Sequence, residues 1–147
     1  MKQNYKAEDH TFVICAYGES PYLEECVKSV LTQKMKTNVL IATSTPNKLI
    51  GDIAERYNIE LYVNRDKSRK SDIASDWNFA LSVAHTSLVT STHQDDLYFS
   101  GYASKIIAGM NNAKRPLIAF TDYSELRNGE FVVDNQLLKI KRYMLMP

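Results

Sequence analysis

The chain has 147 residues, 44% of them hydrophobic and 24% charged, which is enough apolar content for one globular domain with a real core. A formal net charge of +1 excludes attraction to nucleic acid or anionic membrane by bulk electrostatics, and no 18-residue apolar run or signal-peptide layout is present. The two cysteines, Cys15 and Cys26, match neither a metal-ligand spacing nor a disulfide framework and read as small core residues of a cytoplasmic protein.

Thr11–Tyr17 is a continuous apolar run of strand length, as a buried parallel strand requires. Ser20-Pro21 predicts a helix start. Serine caps free N–H groups, proline fits the first helical position, and Glu24 and Glu25 favour the positive end. Leu23, Val27, Val30 and Leu31 form that helix's apolar stripe. Asn38–Thr43 predicts a second strand. Thr45-Pro46 then repeats the cap-and-proline signal before a helix with Leu49, Ile50, Ile53, Ala54 and Tyr57 on one face. Glu60–Val63 predicts a third strand. Ser71 is the expected cap of a longer helix in which Ile73, Ala74, Trp77, Ala80, Leu81 and Ala84 recur at helical spacing, with Trp77 as a core anchor and a ligand-stacking role as its alternative. The short run Leu88, Val89, Thr90 predicts a strand and leads to two adjacent acids, Asp95 and Asp96. A helix from about Ser100 to Met110 turns Tyr102, Ala103, Ile106, Ile107 and Met110 inward, and Pro116–Thr121 predicts another strand. Tyr123–Leu126 and Glu130–Val133 flank Arg127-Asn128-Gly129, and Asn-Gly is a strong hairpin signal. His10 and His85 read as structural or surface residues.

Strands alternating with helices imply an α/β fold with a mostly parallel sheet, helices on both faces and right-handed crossovers. Open sheets of this kind bind ligands at the carboxyl ends of their strands. Four polar segments fall there: Tyr17–Ser20, Thr43–Asn47, Asn64–Lys70 and His93–Asp96. Two adjacent carboxylates at a strand end are costly unless something positive neutralises them, and a divalent cation carrying a nucleoside diphosphate does so with oxygen ligands. An aromatic and acids for a base, hydroxyls for a ribose and a basic cluster for phosphates complete that inventory. No Gly-x-Gly-x-x-Gly or Walker-type loop is present, which excludes the usual dinucleotide dehydrogenase and P-loop NTPase sites.

Three segments carry a resemblance. Thr11–Gln33 resembles the opening strand and helix of family 2 glycosyltransferases, inverting enzymes of the GT-A fold. Asp72–Leu81 resembles their third helix with its Ala-x-x-x-Asn spacing, and Leu88–Tyr98 resembles the strand bearing their Asp-x-Asp metal motif. The resemblance covers roughly residues 10–125 and implies a three-layer α/β/α sandwich with a Rossmann-like parallel sheet. It places Tyr17 against the nucleobase and Glu19 at the base edge. The family's acid after the second strand is replaced here by Thr43-Ser44-Thr45, hydroxyls that could bond the base, so the preference for uridine rests on fewer groups. Asn78, with Asp72, Arg69 or Lys70, is placed near the sugar-nucleotide. Asp95 becomes the principal ligand of Mn²⁺ or Mg²⁺, supported by Asp96, which otherwise meets the donor sugar. His93 stands where the motif has its first acid, a softer ligand that leans the site toward Mn²⁺.

Each assignment has a bland alternative. Tyr17 could finish a buried strand, Glu19 could serve only the following helix's N-terminus, and Arg65, Lys67, Arg69 and Lys70 could be a solvated loop. Asn78 could be exposed and idle, and His93 an ordinary loop histidine. The implied reaction moves a sugar from a nucleoside-diphosphate sugar, a UDP-sugar first, to a hydroxyl of a glycan or lipid-linked acceptor, with inversion, in bacterial polysaccharide synthesis. It would run in the cytoplasm or at the inner face of the membrane. The general base is expected beyond Pro147, with the chain a donor-binding portion truncated before it, and the apolar-basic run Leu137–Met146 could drive a homodimer. Two alternatives stand beside this: a non-catalytic binding or assembly module with a degenerate site, and a nucleotidyltransferase, for which Gly18-Glu19-Ser20-Pro21 is a poor loop.

Overall fold

The computed structural model describes residues 4–66, 72–132 and 136–144. Two compact units divide the chain, Met1–Arg115 and Pro116–Pro147. The first is built on four parallel strands: β1 (His10–Ala16), β2 (Asn38–Thr43), β3 (Glu60–Val63) and β4 (Leu88–His93), in the spatial order β3-β2-β1-β4. From β1 the chain steps outward to β2 and β3, then returns to lay β4 on the other side of β1. The strand order therefore reverses between β1 and β4, and a crevice opens above their carboxyl ends.

Alternation along the strands sends side chains to two faces. On one, Phe12, Ile14, Ala16 and Ile41 meet Leu23, Cys26, Val27 and Val30 of α1 (Leu23–Leu31) and Ile50, Ile53 and Ala54 of α2 (Lys48–Arg56). Ala103 of α4 (Tyr102–Asn112) joins this core, while Ile107 and Met110 pack on Leu88. The other face, Val13, Leu40 and Ala42 with Cys15, is covered by α3 (Ile73–Val83) through Ala80, Phe79 and Val83. This is the expected three-layer sandwich. Inside it, His10 is fully buried, its ring bonded to Thr37 Oγ1 at 3.1 Å and Thr90 Oγ1 at 2.8 Å, and burial lowers its pKa to about 4.

Strands β2 and β3 keep their expected bounds, while helix starts differ by one or two residues. Ser20-Pro21 forms a turn ahead of α1, with Ser20 Oγ accepting the Tyr22 N–H at 3.3 Å. Asn47 caps α2, its Oδ1 accepting the Ile50 N–H at 3.0 Å, so Thr45-Pro46 belongs to the approach. Asp72 caps α3 through the Ser75 N–H at 2.7 Å, and Ser71 lies outside the described residues. Two larger corrections concern apolar residues. Trp77 is 40% exposed and Ile73 72% exposed, because the first turns of α3 border a cavity and only Ala80 of that helix is fully buried. Pro116–Thr121 is not a strand; with no ladder partner among the described residues, Leu117, Ile118 and Phe120 stay exposed.

In the second unit, β5 (Glu125–Arg127) and β6 (Glu130–Val132) form the expected antiparallel hairpin. Asn128 and Gly129 take φ of 51° and 83°, the left-handed pair that a two-residue type I′ turn requires. The helix α5 (Gln136–Met144) follows.

Candidate functional site

Parallel register brings Cys15, Ala42 and His93 side by side on the α3 face of the sheet, near the ends of β1, β2 and β4. Above them opens a cavity of about 440 Å³ in the first unit. Its walls are Ala16 and Tyr17 at the end of β1, Thr43 and Ser44 at the end of β2, Gln94 and Asp95 after β4, and Ile73, Asp76, Trp77 and Phe79 of α3 with its cap Asp72.

The loops around it are fixed by side chain to backbone bonds. Gln94 pairs with Tyr17 as a ladder neighbour would, accepting its N–H at 3.0 Å and donating to its carbonyl at 2.9 Å. Gly18 adopts φ +61°, a conformation costly for residues with a Cβ, and its N–H donates to Thr45 Oγ1 at 2.7 Å. Asn47 donates to the Gly18 carbonyl at 2.8 Å, so the loops after β1 and β2 are tied together. Behind the paired acids, Cys26 Sγ donates to the His93 carbonyl at 3.2 Å. Burial first, then the charges of Asp96 and Asp95, push that thiol's pKa up to about 12. Burial raises the Cys15 thiol as well, only partly offset by its contact with Ser91, so neither cysteine is an activated nucleophile.

Of the residues singled out in the sequence, Tyr17, Thr43, Ser44, Asp72, His93 and Asp95 line this one cavity. Tyr17 is 58% exposed, so it rims the site instead of finishing the core. Glu19 and Asp96 are exposed on the adjoining loops and Asn78 is exposed on α3, none of the three in the lining, while Arg69, with Lys67 and Lys70, lies outside the described residues. Desolvation holds the Asp96 carboxyl above the usual carboxylate range, with Asp95's charge adding to the shift and His93 opposing it. Of the polar lining residues, Asp76 escaped the sequence reading and Gln94 entered it only as part of the segment His93–Asp96, while Trp77, expected as a core anchor with ligand stacking as the alternative, also lines the cavity. Asp76 follows Asp72 by four positions, so a cavity-facing Asp72 is the signal that would have found it.

Among the described residues no three His, Cys, Asp or Glu side chains form a ready cation cage. His93 Nδ1 and Asp95 Oδ1 are 3.9 Å apart. Two ligands each about 2.1 Å from one cation stand at most about 4.2 Å apart, so the spacing of this pair is compatible with one divalent ion between them.

The family model of Glycosyl transferase family 2 matches residues 11–143. The chain belongs to that family. Among solved structures it is similar to residues 1–349 of TarS from S. aureus, at 18% identity and a TM-score of 0.58 over 67% of this chain and 31% of that one. It is also similar to the mannosyltransferase PcManGT from Pyrobaculum calidifontis, in complex with GDP-Man and Mn²⁺, at 21% identity and a TM-score of 0.57 over 76% of this chain and 34% of that one. At such identities the likeness shows the shared fold, and the chain spans about a third of each structure's length. None of the curated proteins matches it.

Proposed function

We propose that this chain binds the donor of a glycosyltransferase that moves a sugar from a nucleoside diphosphate, UDP first, to an acceptor hydroxyl with inversion, within bacterial polysaccharide synthesis. The observation that carries the reading is one cavity at the strand-order reversal where Tyr17, Thr43, Ser44, Asp72, His93 and Asp95 converge. Membership of the family and the likeness to PcManGT, solved with a nucleotide sugar and Mn²⁺, support it.

In this reading Tyr17 packs on the nucleobase, whose edge Glu19 meets, and Thr43 and Ser44 offer hydroxyls to base or ribose. Asp72 accepts from ribose hydroxyls, and Arg69 and Asn78 lie toward the diphosphate and sugar. Asp95 and His93 would hold Mn²⁺ or Mg²⁺, while Asp96 supports them or orients the donor sugar. A bound cation supplies Lewis acidity to the diphosphate as its charge grows. The residues of this chain orient the donor and exclude water from it. The general base and the glycan or lipid-linked acceptor belong to the whole protein.

Calorimetric titration with UDP, GDP and a dTDP-sugar, with and without Mn²⁺, tests the proposal. Metal-dependent binding that Asp95→Ala removes is the expected result. No binding to any nucleotide, with or without metal, overturns it and favours an assembly module that kept the fold.

A further inference from the structure

Asp76 buries one carboxylate oxygen, Oδ1, without a hydrogen-bond partner, although the residue lines the cavity. Its place in the first turn of α3 favours an acid through the helix dipole, but an exposed carboxylate there would be favoured equally. A buried acceptor left without a donor is destabilising and calls for a reason. Among the described residues no side chain or backbone group donates to it, and no lysine or arginine belongs to the lining. A donor brought by a ligand in the cavity would pair it.

We propose that Asp76 is the specificity-determining acceptor for the nucleobase, selecting bases that present a ring N–H (uracil, thymine or guanine) over cytosine and adenine. This rests on the nucleotide reading above and adds to it the group that reads the base. An ionised carboxylate only accepts hydrogen bonds. The ring N–H of a lactam base satisfies it, whereas cytosine N3 and adenine N1 carry lone pairs that would face it and leave two desolvated acceptors unpaired. Sites built on a buried polar group reject the ligand lacking its complement far more strongly than apolar pockets discriminate by shape. The terminal torsion of an aspartate is soft, so either oxygen can turn to the donor. Trp77, next in the chain, is held edge-on to His93 with ring centroids 4.9 Å apart and gives the same cavity an aromatic wall for a base to pack on.

The test is titration of wild type, Asp76→Asn and Asp95→Asn with UDP, GDP, CDP and ADP in the presence of Mn²⁺. Wild type is expected to prefer UDP or GDP over CDP and ADP at least tenfold, and the comparison of UDP with GDP identifies which lactam base is taken. In Asp76→Asn, whose amide both donates and accepts, affinity for the preferred nucleotide falls about tenfold and the preference collapses. Asp95→Asn weakens all four while leaving their ratio unchanged. Equal binding of the four by wild type overturns the inference, as does an Asp76→Asn protein that binds with the wild-type ratio. Should Asp76→Asn not fold, Asp76→Ser carries the same comparison. Wild type binding none of the four sinks the nucleotide reading itself, a result distinct from binding without base preference.

Discussion

Gln33→Leu removes four hydrogen bonds while keeping side-chain volume close to native. The Gln33 side chain is 1% exposed, and its amide donates toward the carbonyls of Ser29 at 3.0 Å, Tyr98 at 3.3 Å and Phe99 at 2.9 Å. Its Oε1 accepts the Ala103 N–H at 3.0 Å. Helix α4 has no side-chain cap of its own at Gly101, so a residue 70 positions away satisfies one of its first N–H groups. Phe99's carbonyl also accepts the Tyr102 N–H at 2.9 Å, so the loss falls mainly on Tyr98 O and on the Ala103 N–H, which belongs to a fully buried residue. At about 1 kcal/mol net for each of those two bonds, plus ~1–3 kcal/mol for the stranded buried donor, the substitution costs about 3–5 kcal/mol. For a chain of this size that lowers Tm by roughly 10 °C. Urea unfolding followed by the fluorescence of Trp77, the single tryptophan, measures it in the first unit. A loss under about 1 kcal/mol would show that water replaces the amide at no net penalty, and the reasoning would be wrong.

Two further outcomes are expected. His10 is held neutral by burial, with a pKa near 4 against 6.5 for the free side chain, so between those values the unfolded chain binds a proton that the folded one does not. Stability is therefore full above pH 6.5 and falls as pH drops toward 4, by about 3 kcal/mol at 1.36 kcal/mol per unit. His10→Gln removes that portion of the slope, and denaturant midpoints of mutant and wild type that run parallel from pH 6.5 to 4 would contradict it. Gln94→Ala cuts both bonds to the Tyr17 backbone at an exposed position. Stability should change by less than about 1 kcal/mol while nucleotide affinity drops severalfold, and an unchanged Kd would exclude Gln94 as the tie across the crevice.

Local chemistry made much of the fold readable. Asn38–Thr43 and Glu60–Val63 are apolar runs with turn signals at their ends, and Asn128-Gly129 is the dipeptide that tolerates two successive positive φ values at low strain. Helix starts were displaced because cap signals compete: Ser20-Pro21 and Thr45-Pro46 shape the turn that delivers the chain, and Asn47 does the capping of α2. Pro116–Thr121 failed for a different reason, since propensity gives an extended run but not the neighbouring strand whose N–H and C=O groups a ladder needs. Gln33 was invisible because all the groups it serves beyond α1 lie 65 to 70 positions away.

The candidate site was legible where strand order decides it and illegible where helical phase does. Tyr17, Thr43, Ser44, His93 and Asp95 all lie at or just past carboxyl strand ends, and the register Cys15↔His93 and Ala16↔Thr43 gathers those ends into one crevice. On α3 the same periodicity has two meanings. A stripe at 3.6-residue spacing faces the sheet where the sheet lies beneath it, as at Ala80, but faces the cavity where the strands have ended, as at Ile73 and Trp77. Asp72, Asp76 and Phe79 fall at helical spacing along that border, which turns an apparent core stripe into a wall with two carboxylates. The fold thus fixes where the cavity lies, while either wall can supply the acid. Thr43-Ser44-Thr45 brings hydroxyls from β2, and Asp76 brings a carboxylate to the same volume from α3.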